Sequence, residues 1–158
     1  MSIVLARIDD RLIHGQVMTA WVSYAGGKEI LIVDDKVAKD PFLSAVITGA
    51  APKHLKATAV TIEQATKELL ENKDNTEKKY ILLAKGPETF ETLINNGVEI
   101  NEINLGGMGS KQGRNKLYKN IAASNDEKVV FKNLLDRGVN VYIQVVPNME
   151  KVDLNKYL

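Results

Sequence analysis

The sequence predicts an α/β fold with an open, mainly parallel sheet of about six to seven strands and helices on both faces. Short apolar, β-branched runs alternate along the chain with longer amphipathic segments, which is the pattern of successive βαβ units. No linker, internal repeat or low-complexity tract interrupts the 158 residues, which are enough to bury a core without disulfides. We therefore expect a single domain over residues 1–158.

The order of elements follows from the apolar runs and from local start and stop signals. Thr61 with Gln64 resembles a capping box, and Pro41 and Pro87 suit the first turns of helices. A short strand is also expected near 119–123. The main strands are expected at 2–8, 29–35, 56–62, 79–84, 102–107 and 139–146, and the helices near 15–25, 40–50, 63–73, 87–96 and 126–137.

The balanced charge, the absence of cysteine and the lack of a long apolar run exclude several classes of function. Lysine and arginine number 21 against 20 aspartate and glutamate residues, so no overall field favours nucleic acid or an anionic membrane. The absence of cysteine excludes thiol chemistry and thiolate metal sites, and two distant histidines make a metal site improbable. The chain has no apolar run of transmembrane length and carries acids close to its N-terminus, so we expect a cytoplasmic protein without direct membrane insertion.

The stretch "ARIDDRLIHGQV", residues 6–17, is the first candidate site. Ligands of such folds bind in the loops at the carboxyl ends of the strands, and this loop follows the first strand. His14 would lie at the N-terminus of the first helix, where free amides and the helix dipole favour an anion and a neutral imidazole. A neutral imidazole has a free lone pair and is a competent nucleophile.

The neighbours of His14 could support attack on a phosphoryl group. Arg11 can donate two parallel hydrogen bonds to phosphoryl oxygens, and Asp9 or Asp10 could accept the proton of the second ring nitrogen. A capping or surface histidine beside a solvated, ion-paired turn would show the same residue types, so these alone leave both interpretations open. The first-turn amides that could bind phosphate belong to Gly15, Gln16 and Val17.

Three further features of the sequence bear on function. The segment 106–116, "GGMGSKQGRNK", could be a flexible phosphate-contacting loop, although it matches neither a Walker A loop nor a dinucleotide fingerprint and could equally be a mobile surface loop. His54 lies among lysines after a proline, and we expect it to be exposed and unrelated to catalysis. Trp21 falls on the apolar stripe of the first helix and is expected in the core.

The motif "RIDDRLIHGQV" resembles the N-terminal signature of the enzyme IIB subunits of the mannose/fructose/sorbose family of the bacterial phosphoenolpyruvate:sugar phosphotransferase system. The segments "VDDKVAKDPF", "LGGM" with the basic "KQGRNK", and "RGVNVYIQVVPN" follow in family-like order. The resemblance covers nearly the whole chain, and an unbroken motif of this length is highly specific.

The resemblance implies a sorbose-type IIB domain with a defined place in a phosphoryl relay. A IIA subunit or domain, phosphorylated by the carrier HPr, would pass its phosphoryl group to Nδ1 of His14, and His14 would give it to a sugar during uptake through the membrane subunits IIC and IID. The protein would be a phosphohistidine–sugar phosphotransferase that needs no cofactor and lies at the inner face of the membrane. The sugar is not identified, and "GVNVYIQVVP" tilts the choice only slightly toward amino sugars.

The resemblance also implies roles for single residues of the first loop. Arg11 would neutralise the phosphate, and Asp9 would shape the loop and bond either the ring or the arginine. We expect Arg7 at the edge of the site or at a partner surface, and Asp10 either facing water or contacting phosphate or a partner. Contacts to phosphate or to a partner are further expected from Lys111 and Arg114.

Two other functional classes fit an acidic pair after the first strand. A phospho-aspartate receiver domain would need an acceptor aspartate at the end of the third strand, and "KATAVTIEQ" offers none. A flavodoxin-like module for a nucleotide or flavin would need a Ser, Thr and Gly-rich phosphate loop, where this chain has carboxylates.

Overall fold

The computed structural model describes residues 1–158. The strands are β1 (Ser2–Asp9), β2 (Glu29–Val33), β3 (Lys56–Val60), β4 (Lys79–Ala84), β5 (Glu102–Gly107), β6 (Asn115–Tyr118), β7 (Ile121–Ala123), β8 (Asn140–Ile143) and β9 (Val152–Asp153). The helices are α1 (Gly15–Ala25), α2 (Asp35–Lys39), α3 (Pro41–Gly49), α4 (Ile62–Glu71), α5 (Pro87–Asn95), α6 (Asn125–Asp136) and a C-terminal 3-10 helix (Leu154–Tyr157). None of these helices combines the length and the apolar composition needed to cross a membrane.

Seven strands form one sheet in the order β3-β2-β4-β1-β5-β8-β9, while β6 and β7 form a separate antiparallel hairpin. All pairs in the large sheet are parallel except that of β8 with β9. This confirms the predicted α/β class. β1 lies between β4 and β5, where the chain crosses from one half of the sheet to the other, and such a switch point opens a crevice at the carboxyl ends of the strands.

Helices cover both faces because side chains along each strand alternate between two cores. In β2, Leu31 and Val33 point into the larger core, and Ile30 and Ile32 point into the smaller one. The larger core packs the sheet against α4, α5 and α6, and the smaller core packs it against α1, α2 and α3. Trp21 of α1 is only 1% exposed in the smaller core, as predicted.

Several boundaries differ from the prediction for local reasons. The expected strand 139–146 ends at Ile143, because the Gln144 side chain donates to two carbonyls of the following turn and bends the chain away. The expected strand near 119–123 begins only at Ile121, since Lys119 takes a positive φ of 45° in the tight turn of the β6–β7 hairpin. The predicted capping box of Thr61 and Gln64 is present at the start of α4.

Candidate active site

The loop between β1 and α1 is folded tightly rather than extended into solvent. Leu12 and Ile13 are buried in the smaller core, and the Leu12 N–H donates to the Asp9 carbonyl. Leu12 takes a positive φ of 58°, a left-handed conformation that is costly for a branched residue and is held here by burial. These contacts fix His14 as the residue that precedes α1, which is where the sequence placed it.

Asp9, at the end of β1, holds the His14 ring. Its carboxylate is fully buried, and its Oδ2 lies 2.9 Å from Nε2 of His14. Oδ1 accepts from the Arg11 backbone N–H at 3.0 Å and from Arg11 Nε at 3.4 Å. Of the two adjacent carboxylates, Asp9 therefore faces the ring, and Asp10 does not.

The charge of Asp9 is maintained despite its burial. Burial alone would raise the pKa of Asp9, but the Arg11 amide, the His14 ring and the Arg7 guanidinium together hold that pKa below its ordinary value. An ionised carboxylate only accepts hydrogen bonds, so the proton of the neutral imidazole lies on Nε2. The lone pair of His14 is consequently on Nδ1.

The surroundings of Nδ1 suit an anion. The His14 side chain is 22% exposed, and no side chain caps the α1 N-terminus or places an acid in its first turn. The first amides of a helix have no acceptor within the helix, so those of Gly15, Gln16 and Val17 are available to a phosphoryl group. Gly15 takes a φ of +50°, a backbone conformation that residues other than glycine rarely adopt.

Arg11 is the exposed cation of this loop. Its side chain is 60% exposed and is tethered only through its Nε contact with Asp9. The tether leaves the ends of the guanidinium free to reach oxygens on a group carried by His14.

Arg7 does not lie at the rim, contrary to expectation. It is fully buried, its Nη2 donates to Asp9 at 3.0 Å, and its Nη1 donates to Asn104 at 2.6 Å and to the Gln144 carbonyl at 3.2 Å. The guanidinium also lies 5.3 Å from the centre of the Trp21 ring. A residue without exposed surface cannot contact a partner protein, so the expected partner role of Arg7 is wrong.

Arg114 is likewise internal rather than a free cation on a flexible loop. Its side chain is 2% exposed, and its Nε and Nη2 pair with both carboxylate oxygens of Glu127 at 2.9 and 2.8 Å. Its Nη1 pairs with Asp10 at 3.1 Å, and Asp10 accepts from the Gly109 amide at 2.7 Å. The expectation of an Arg114 contact to phosphate or partner is corrected accordingly, since every face of the guanidinium is already used.

The glycines of the same segment have a packing role. A Cβ at Gly106 would overlap the Arg7 guanidinium, and one at Gly107 would lie 2.9 Å from Asp9 Oδ1. The glycines thus allow β5 to approach the buried charges of β1. Lys111 alone of the predicted contacts in this segment is exposed.

A buried polar layer below the site was not predicted from the sequence. Asn104 and Gln144, both nearly fully buried, join Arg7 to β5 and to the residue that follows β8. Trp21 Nε1 donates to the Val145 carbonyl at 2.9 Å and ties α1 to the same region. The available signal was the single asparagine inside the apolar run "EINLGG", whereas Gln144 takes part through its backbone carbonyl, which any residue would offer.

A groove of about 510 Å³ opens beside the site. It is lined by residues of the β1–α1 loop, by the glycines of β5 and by the tip of the β6–β7 hairpin. Arg11, Gln144 and Met149 are also among its lining residues. His54, the second histidine, is exposed and lies far along the chain between α3 and β3.

Comparison with known proteins gives one consistent result. The family model described as "PTS system sorbose subfamily IIB component" matches residues 3–158. The N-acetylgalactosamine-specific phosphotransferase enzyme IIB component 2 of Escherichia coli (strain K12) is 34% identical over 99% of each chain. The crystal structure of the IIBSor domain of the sorbose permease from Klebsiella pneumoniae superposes with a TM-score of 0.92 at 33% identity, covering 99% of this chain and 96% of that one.

A fourth similarity concerns a longer protein. The mannose-specific EIIAB component of Escherichia coli (strain K12) is 36% identical over 98% of this chain, which spans 48% of that protein. The family match, the identities and the shared fold agree over essentially the full described chain. The protein belongs to the sorbose-subfamily IIB components of the sugar phosphotransferase system and is a transferase that acts in phosphoryl transfer.

Proposed function

We propose that His14 is the residue that carries the phosphoryl group, on its Nδ1 atom. The observation that carries this proposal is the contact of Nε2 with the buried Asp9 at 2.9 Å, because it leaves Nδ1 as the one ring nitrogen with a free lone pair. The partly exposed ring lies before an uncapped helix N-terminus, where the amides of Gly15, Gln16 and Val17 favour added negative charge.

The proposed chemistry needs no proton to leave the ring. The Nδ1 lone pair attacks phosphorus, the Nδ1–P bond forms, and the bond from phosphorus to the donor breaks. The ring keeps its Nε2 proton and becomes a cation, which the charge of Asp9 stabilises. Arg11 and the helix amides bind the phosphoryl oxygens. In the second step a sugar hydroxyl attacks phosphorus, its proton is released, and the neutral imidazole leaves.

The family relationship supports the partners of this relay. We propose a IIA subunit or domain as the donor, in line with the fused mannose-specific EIIAB component, and the membrane subunits IIC and IID with their sugar as the acceptor side. The chain would then act as a single domain over residues 1–158 and as a phosphohistidine–sugar phosphotransferase at the inner face of the membrane. Relatives named for N-acetylgalactosamine, fructose and sorbose leave the sugar open. Neither the receiver-domain nor the flavodoxin-like alternative is favoured by these relationships.

Phosphoryl labelling tests the assignment of His14. Incubation with labelled phosphoenolpyruvate, the general phosphotransferase proteins and a IIA protein should label the chain with a bond that is labile in acid and stable in base. His14→Ala should abolish the label, and the control His54→Ala should keep it, since His54 is exposed and remote from the loop. Alkali-labile label, or label that persists in His14→Ala, would exclude the proposal.

A further inference from the structure

The Arg7 side chain reaches the reactive ring only through Asp9. Its Nη2 donates at 3.0 Å to Oδ2 of Asp9, the same oxygen that lies 2.9 Å from Nε2 of His14. Because Arg7 is fully buried, a phosphoryl group on Nδ1 cannot touch it. The bonded route from Arg7 to the reactive ring therefore runs through the shared oxygen of Asp9.

We propose that Arg7 is a positioning residue that acts through Asp9, fixing the carboxylate against His14 and limiting how strongly that carboxylate stabilises a cationic ring. This inference rests on the function proposed above. Two donors on one oxygen compete for its electron density, so the Arg7 charge weakens the pull of Asp9 on the Nε2 proton. Removal of the Arg7 charge should therefore strengthen the hold of Asp9 on that proton and favour the protonated, non-nucleophilic ring.

The Arg7 guanidinium is held in a fixed position beside Asp9 by its neighbours. Asn104 and the Gln144 carbonyl accept from Nη1, the Trp21 ring lies below the guanidinium at 5.3 Å, and Gly106 leaves the space that the guanidinium fills. Contacts from three separate elements thus fix the angle at which Arg7 meets Asp9.

The other charged groups near this pair are few. Asp9 is faced by Arg7 from β1 and by Arg11 and His14 from the loop, while α1 places no acid in its first turn and β5 contributes the neutral Asn104. Tyr142 on β8 is the remaining titratable group that acts on Arg7. The low pKa of Asp9, to which the Arg7 charge contributes, is consistent with the geometry.

Titration of His14 in the unphosphorylated protein tests the inference. NMR of the ring protons in Arg7→Met should show a pKa for His14 raised by about one unit, equivalent to about tenfold less neutral ring on the acid side. Arg7→Lys, which restores the charge, should give a smaller rise. Lys111→Met is the control, because it removes an exposed cation that pairs with neither Asp9 nor Asp10, and it should leave the His14 titration unchanged. The acid limb of the phosphorylation rate should move with the titration.

A folded Arg7→Met protein whose His14 titrates as in the wild type would overturn the inference. If Arg7→Met does not fold, Arg7→Lys is compared in the wild-type and in the Asp9→Asn background. The shift in the His14 titration caused by Arg7→Lys should appear when Asp9 is present and vanish in Asp9→Asn. Equal shifts in both backgrounds, or no shift in either, would refute the role of Arg7. The titration involves no phosphoryl group. Label that persists in His14→Ala therefore refutes the proposed function, whereas an unmoved titration refutes only the role of Arg7.

Discussion

Asp9 and Asp10 are neighbours in the chain, yet they serve different parts of the site. Successive residues of a strand end point in opposite directions, so Asp9 turns inward to His14, and Asp10 turns to Arg114 and the Gly109 amide. The pair can therefore be separated by substitutions of the same size and chemistry.

Asp9→Asn should slow phosphorylation of His14 by about a hundredfold or more, because an amide cannot stabilise the ring cation that forms on attack. Asp10→Asn should slow it by less than about tenfold, since that side chain touches neither the ring nor the phosphoryl position. Initial rates with a phosphorylated IIA protein measure both. Equal losses of rate in the two variants would show that the Asp9 contact with His14 does not contribute specifically to phosphorylation.

Gly106 is required by its neighbour rather than by its own backbone. Gly106→Ala would drive a Cβ into the Arg7 guanidinium, and the resulting overpacking and displaced charge should lower the free energy of unfolding by about 3 kcal/mol. The control is Gly109→Ala, whose Cβ would meet the Asp10 carboxylate at an ordinary 3.6 Å. Urea denaturation compares them, and similar stabilities would contradict the packing argument.

At the scale of elements, Arg114 joins three segments that are distant in the sequence. It connects the β1–α1 loop through Asp10, the glycine segment through the Gly109 carbonyl at 3.0 Å, and the first turn of α6 through Glu127. Ser124 and Glu127 complete a capping box at the same place, so the start of α6 is fixed to the loop that carries His14.

Removing this arginine should loosen the glycine segment selectively. Arg114→Met leaves the buried Glu127 carboxylate unpaired and should lower the free energy of unfolding by about 3–5 kcal/mol. Amide hydrogen exchange over residues 108–114 should rise more than exchange in β4, because the segment loses its clamp. Lys111→Met, at an exposed position of the same segment, should change neither measurement, and a uniform rise across the sheet would argue against a local clamp.

Helices and strands with a clear apolar pattern and recognisable start or stop residues were predictable from the sequence. Helix α1 and strands β4 and β5 have the predicted bounds: glycines mark both ends of α1 and the end of β5, and charged residues flank the apolar run of β4. The five-residue helix α2 and the two-residue strand β9 were missed, since elements so short show no periodicity. The available signal for α2 was Asp34, an aspartate at an N-cap position, whose side chain accepts from the Val37 amide in the structure.

At the scale of the whole molecule, the local and the long-range parts of the site differ in how far the sequence predicts them. His14, Asp9 and Arg11 lie within six residues, so one loop sets their arrangement and the sequence placed them together. The layer beneath them joins Arg7 to Asn104, 97 residues away, and to Gln144, 137 residues away. Only the strand order β1-β5-β8 brings these residues together, and neither local propensity nor spacing encodes that order.

The same internal charges predict how stability depends on pH. Burial alone would raise the pKa values of Asp9 and Glu127, but their cationic and amide partners hold both below their ordinary range in the folded state. A carboxylate with a depressed folded pKa stabilises the protein fully above its unfolded pKa of about 4, and this contribution is lost as the pH falls toward the folded value. The free energy of unfolding should therefore stay level down to about pH 5 and fall below it.

Comparison with Glu127→Gln isolates one of the two carboxylates. The variant leaves Arg114 without its bidentate partner, so it should be less stable than the wild type at neutral pH. Because the wild type loses the Glu127 contribution on acidification and the variant has none to lose, the difference should shrink steadily between about pH 5 and pH 3. Urea denaturation at a series of pH values measures it. A difference that stays constant over that range would show that the buried ion pair of Arg114 and Glu127 is not a source of acid sensitivity.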